Sequence, residues 1–188
     1  MGRPATDKRD RLIDAAVTRF HRHGAAGSSL ALVAADAGIA TGNVYYYFRT
    51  RDALSTAVID RWCERVEQHL ESHDAADSPI DRIRSFLTHS KERRQGYADF
   101  GCPLAALRAD FRVASPPMAT ASGRPLALLC DWLIRQFKLA GEPTDTALRY
   151  AEFVLATLQG SYALAHATSD PTLIERAVEE LSHWLDRL

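Results

Sequence analysis

The stretch that most constrains this chain is Ser28 to Arg51, SSLALVAADAGIATGNVYYYFRTR. Leu30, Val33, Ala34 and Ala37 recur at helical spacing and stop at Gly38. A glycine there can take the left-handed conformation that ends a helix and turns the chain. Ser28 or Ser29 is placed to cap the helix. Ile39 fits beneath the turn. Thr41 is expected to cap a third, very short helix, whose inner face is Val44 and Phe48, four residues apart. The alanines let the helices cross closely. The pattern is two short helices around one tight turn, with Thr41, Gly42, Asn43 and at least two tyrosines left facing outward.

A longer helix precedes it. Asp7 is the expected N-cap, Leu12, Ile13, Ala16, Val17 and Phe20 form the buried face, and Gly24 ends it. It carries Lys8, Arg9, Arg11, Arg19 and Arg22. Met1 to Thr6 reads as a flexible arm from which Arg3 could reach a phosphate or a minor groove. A helix-turn-helix behind a basic helix presents its last helix to a DNA major groove. Thr41, Gly42 and Asn43 are short enough to approach base edges; Asn can read adenine in bidentate fashion, and Thr offers a hydroxyl and a methyl. Tyr45, one turn after Thr41, shares that side. Tyr47, Arg51 and Ser29 are placed to hold phosphates, which fixes register without reading sequence. For Tyr46, groove contact and core filling are both open.

Residues 11–54 resemble the N-terminal domain of TetR-family transcriptional regulators. The resemblance rests on Ala15-Ala16, Phe20, Gly24, Ser29-Leu30, Val33-Ala34, the run Ala37 to Phe48, and Arg51-Asp52-Ala53-Leu54. Tyr47 conforms to a position where the family often has His or Tyr. Arg51 stands where the family often has Lys; it keeps the charge and adds a fork that suits phosphate. The resemblance implies a homodimeric regulator, a repressor rather than an activator, on a near-palindromic operator in double-stranded DNA. It also implies a C-terminal cavity whose small-molecule effector favours the form that no longer matches successive major grooves.

The remaining chain reads as helices throughout, with no strand-like alternation and no repeat. The expected class is all-α, about nine helices in all: a DNA-binding domain over 1–52 and a ligand-binding and dimerisation domain over 53–188, the fourth helix serving both. That helix runs from Asp52 to about Ser72. Ser78-Pro79 restarts a helix that fades near Gly96, and Gly101-Cys102-Pro103 opens another to about Val113. A long helix from Pro116 to Gly141 should kink or start late at Pro125. Helices over 146–167 and 171–188 close the chain; their broad apolar faces suggest a four-helix interface with a second copy.

Phe86, Leu87, Ser90, Leu104, Leu107, Phe111, Trp132, Phe153 and Leu158 are the candidate lining of the effector site, which favours a mostly apolar ligand. His89, Arg93 and Arg94 are the candidates for meeting an acidic group instead. Cys102, at an expected helix N-terminus where partial positive charge can lower a thiol pKa, supports an alternative: an oxidant or electrophile sensor. A remoter alternative is a helical dimeric scaffold without DNA binding, which the intact Thr41–Arg51 stretch opposes.

Composition sets the outer bounds. The chain has 188 residues and a formal net charge of -1, at first sight unfavourable for nucleic acid. Residues 1–52 hold 8 Lys+Arg against 5 Asp+Glu, and 53–188 hold 15 against 19, so a basic region precedes an acidic one. No apolar run approaches the ~20 residues of a membrane span, the start has no secretory h-region, and Gly2 is a weak myristoylation match. Three widely spaced cysteines make no disulfide framework and point to a reducing cytoplasm. The seven histidines form no HExxH, and neither GxSxG nor a P-loop occurs, so no catalysis, cofactor or metal is expected. His21 and His23 fall on different helix faces.

Overall fold

The computed structural model describes residues 5–112 and 116–188. Its regular structure consists of eleven helices among those residues: α1 (Ala5–His23), α2 (Leu30–Asp36), α3 (Thr41–Tyr47), α4 (Arg51–His73), α5 (Pro79–Glu92), α6 (Arg94–Phe100), α7 (Pro103–Phe111), α8 (Pro116–Ala121), α9 (Arg124–Leu139), α10 (Thr144–Thr168) and α11 (Thr172–Leu185). The all-α expectation holds, and the short α6 and α8 account for the excess over nine. Where the sequence suggested fading at Gly96, the chain breaks only at Arg93 and resumes as α6. Pro125 forces a late start, as its missing N–H and fixed φ favour the first turn of a helix. The expected long helix is therefore split into α8 and α9.

The chain divides into two compact units, one of residues 1–65 and 106–125, the other of residues 66–105 and 126–188. The division falls inside α4, α7 and α9. It differs from a boundary at 52/53 because the three N-terminal helices are too small to close a core alone. Leu12, Val17 and Phe20 of α1, Val33 of α2, and Val44 and Phe48 around α3 are joined in one buried cluster by Leu54, Val58 and Ile59 of α4. Leu107 and Phe111 of α7 and Met118 of α8 complete it. The Phe20 and Phe111 rings meet at 6.2 Å. Asp110 accepts from the Ala25 N–H at 2.6 Å and so holds the loop after α1.

The second unit is a helical bundle in which α10 packs on α6 and α11, and α11 on α5. Ser78 caps α5 by accepting from Asp81 N, with Pro79 opening the helix as expected. Ion pairs Arg84–Asp186, Lys91–Glu179 and Arg94–Glu175 tie α5 and the start of α6 to α11 and its C-cap. Inside, Tyr97 and Tyr162 stack with centroids 4.0 Å apart, and the Tyr162 hydroxyl donates to Ser90 Oγ at 2.9 Å. Burial pushes both phenols upward from the usual range. No helix among the described residues is long and apolar enough to cross a membrane.

Candidate nucleic-acid interface

The helix-turn-helix is positioned by side chains that bind backbone, not by its own length. A seven-residue helix is well below what is stable alone. Gly38 has φ +62°, the left-handed turn the sequence required. Arg11 donates to the Ala37 carbonyl, and Arg19 pairs with Asp36 at 2.8 Å, so two arginines of α1 fasten the end of α2. Arg61 of α4 binds Asp10 at 2.8 Å and Asp14 at 2.7 Å, locking α4 to α1. The expected basic face of α1 is thus partly an internal clamp. Arg9 lies over the Phe48 ring at 5.5 Å.

On α3, Val44 and Phe48 are buried, while Thr41, Gly42, Asn43, Tyr45 and Tyr46 are exposed together. Tyr46, for which core filling was open, is 79% exposed. Tyr47 is half-buried against the first unit's core, and its ring meets Tyr46 edge-on at 5.0 Å. Two local expectations change. Ala40, not Thr41, is the N-cap, and Thr41 is the first helical residue, so its side chain does no capping. Asp7 lies within the first turn of α1 instead of capping it, because the helix already begins at Ala5.

Ser29 caps α2, accepting from Leu32 N at 3.2 Å, which leaves its O–H as a donor. Arg51 is exposed and donates to the Ala25 carbonyl, leaving further N–H groups of its fork. Arg3 lies outside the described residues. Gly42 is informative by contrast with Gly38. It has no positive φ, and a Cβ built there meets nothing within 4 Å. Neither backbone conformation nor packing within the chain requires a glycine at that position.

Residues 12–58 match the family described as bacterial regulatory proteins, tetR family. The chain is 32% identical over 186 residues to the HTH-type transcriptional regulator BetI of Paraburkholderia phytofirmans, spanning 80% of this chain and 94% of that one. This chain belongs to the TetR family of transcriptional regulators. An uncharacterized HTH-type regulator of Mycobacterium tuberculosis is 26% identical, with 94% of this chain and 93% of the relative covered. The fold is shared with a TetR regulator from Legionella pneumophila at TM-score 0.82 and 19% identity, covering 100% of this chain and 98% of that one. It is shared also with the reduced form of E. coli NemR at TM-score 0.81 and 19% identity, covering 94% and 96%.

The nine residues expected to line an effector site do not all come together. Phe86, Leu87, Ser90, Leu104, Trp132 and Leu158 are buried in the second unit, whereas Leu107 and Phe111 belong to the core of the first. Phe153 is 46% exposed on α10. Arg94 is occupied by Glu175. Sequence reading passed over Gln136, which is 2% exposed. Its Oε1 and the Nε1 of Trp132, one turn apart on α9, are buried with no hydrogen-bond partner.

The thiol-sensor alternative is not favoured. The helix start does direct the Ala105 and Leu104 amides at Cys102, and Gln159 bonds it too, yet desolvation by burial outweighs them and pushes its pKa up. A thiol held protonated is a poor nucleophile.

Proposed function

We propose that this regulator is a repressor that binds a near-palindromic operator as a homodimer and is released by a small, mostly apolar effector held in the second unit. The observation that carries the DNA reading is the open space over Gly42 on an exposed helix face. A glycine that its own chain does not need fits a surface that a base edge must approach closely. Thr41, Asn43 and Tyr45 flank it as the base-reading group. Ser29, Tyr47 and Arg51 serve as phosphate contacts, with Tyr46 at the edge and Arg3 reaching from the arm.

The outer face of α10 supports pairing. Phe153, Ala156, Gly160, Ala163, Leu164 and Ala167 are all exposed and recur at three- and four-residue steps. A Cβ at Gly160 would meet nothing within 4 Å, so a second α10, with α11 beside it, can come close there. Support for an effector comes from Trp132 and Gln136: buried polar atoms without partners are costly, and a ligand polar group would satisfy them.

A gel shift on the DNA upstream of the chain's own reading frame tests the reading, with Gly42→Ala alongside wild type. Wild type should bind with an affinity that falls steeply with salt. Gly42→Ala should fold at least as stably, since Ala exceeds Gly in helix propensity by up to about 1 kcal/mol, yet bind at least about tenfold more weakly, or ~1.4 kcal/mol. Equal binding by both proteins removes Gly42 from the interface. Failure of wild type to bind any DNA at low salt favours a scaffold.

A further inference from the structure

Three imidazoles gather where the last turns of α4 meet the last turn of α5. His69 and His73 stand four residues apart on α4, so both project from one face. Their Nε2 atoms lie 3.4 Å apart. His89 of α5 lies with its ring centroid 4.2 Å from that of His69 and 6.1 Å from that of His73. His69 and His89 are half-buried and reachable from solvent; His73 is buried.

We propose that His69, His73 and His89 form a site for a divalent first-row transition-metal ion of the kind imidazole prefers, Zn²⁺ or a close relative. With metal–nitrogen bonds of about 2.0–2.1 Å, two ligands of a tetrahedral ion sit roughly 3.3–3.4 Å apart. The His69–His73 separation falls at that edge length, and it is long for a hydrogen bond between ring nitrogens.

One outer partner agrees. His73 Nδ1 is 2.8 Å from Ser85 Oγ, and His89 Nδ1 faces Glu92 Oε2 at 3.9 Å. Ser85 can accept the His73 Nδ1 proton, which leaves the Nε2 lone pair of that ring for a metal, the arrangement metal-ligating histidines commonly show; Glu92 lies beyond hydrogen-bond reach of His89. As placed, no group of three His, Cys, Asp or Glu side chains among the described residues could hold a metal ion. The site therefore requires the half-exposed His89 ring to turn toward the His69 and His73 Nε2 atoms, with a fourth position left to water. The donor set is nitrogen only, which disfavours Mg²⁺ and Ca²⁺.

The test uses the full chain after chelator treatment, titrated with Zn²⁺ by calorimetry and with Co²⁺ by visible absorption. One ion per chain and Co²⁺ bands of a nitrogen-ligated ion are expected. His69→Gln should weaken Zn²⁺ binding by at least about tenfold, because loss of even an outer partner costs metal sites 10- to 100-fold. Ser85→Ala, which leaves every ligand in place, should weaken it by about tenfold on the same ground. The double variant His21→Gln, His23→Gln should bind as wild type does. Thermal unfolding of each variant establishes that it is folded. Equal affinity in wild type and His69→Gln, loss of binding with the His21 and His23 pair instead, or no binding by wild type overturns the site. None of these measurements involves DNA, so their outcome is separate from that of the regulatory reading.

Discussion

The first unit turns arginines of α1 and α4 on its own carbonyls and carboxylates and leaves an uncharged stretch of α3 outside, while the second ties its helices by surface ion pairs and buries Trp132 Nε1 and Gln136 Oε1 one turn apart on α9. Arg11, Arg19 and Arg61 each bind a carbonyl or carboxylate of the first unit, and the exposed side of α3 is Thr, Gly, Asn and Tyr. In the second unit Arg84, Lys91 and Arg94 pair across the surface with α11 or its C-cap, whereas Trp132 Nε1 and Gln136 Oε1 are buried. A face that reads a macromolecule must display short polar groups on a rigid frame. A site for a small molecule needs concealed polar groups among apolar ones. Charge counting along the sequence blurs the distinction, because part of the basic face of α1, Arg11 and Arg19, is structural.

The largest test of the division is Phe111→Ala. This residue lies late in the sequence but fills the first unit's core against Phe20. Truncating a buried Phe costs about 3–5 kcal/mol. The loss should appear as faster amide exchange in α1 and α2, with α10 and α11 retaining protection. Loss confined to the second unit would move Phe111 back across the boundary.

A smaller effect separates the roles assigned on α3. Asn43→Ala should reduce discrimination by about 1–3 kcal/mol at one or two base pairs, the worth of a bidentate base contact. Tyr47→Phe should weaken binding to all sites alike by about 1 kcal/mol, the worth of one hydrogen bond. Binding measured over a set of single-base operator variants checks both. A change of sequence preference in Tyr47→Phe would contradict the assignment of Tyr47 to phosphate.

How far the sequence could be read differs between the units for the same physical reason. Gly38, Val44, Phe48 and the outward Thr41–Asn43 group act within a dozen residues, so spacing exposes their roles. Asp110 holding the Ala25 amide is a pairing across 85 residues, which no local pattern carries. The helices beyond α4 were legible from caps and prolines, including the break at Pro125. Their contents were not: whether Leu107 and Phe111 face one core or the other depends on how α7 is shared. Thr41 was misplaced by one position because Ala40 supplies the cap backbone without a side-chain bond. The histidine cluster combines a visible His-x3-His spacing with His89, which only the α4–α5 packing brings near.

A still smaller effect tests whether the clamps on α1 stabilise or merely orient. Arg61 meets Asp10, Asp14 and Glu64, and the carboxylates are well exposed. Exposed pairs contribute about 0.2–1 kcal/mol, so Arg61→Ala should cost no more than ~1–2 kcal/mol in chemical denaturation, with the difference shrinking at high salt. A salt-independent loss would point to packing of the Arg61 stem instead.

The smallest effect is acid sensitivity, and it should reside in the second unit. Burial first, then the neighbouring His89, His73 and Arg93 charges, hold the His69 pKa at about 4. Burial, then the His89 charge, lowers His73; burial, then Arg93, lowers His89. In the unfolded chain these rings titrate near ~6.5. Between about pH 4 and 6.5 the unfolded chain therefore binds more protons than the folded one, and stability rises with pH across that window. The contribution is complete above ~6.5 and is lost as pH falls toward 4. His69 is half-exposed, so solvent screening keeps its share small. In chelator, the melting temperature of His69→Gln should decline less steeply than that of wild type from pH 6.5 to 4, with the difference confined to amide exchange in α4 beyond residue 65 and in α5. Parallel declines in the two proteins would place the acid-sensitive groups elsewhere and remove this contrast between the units.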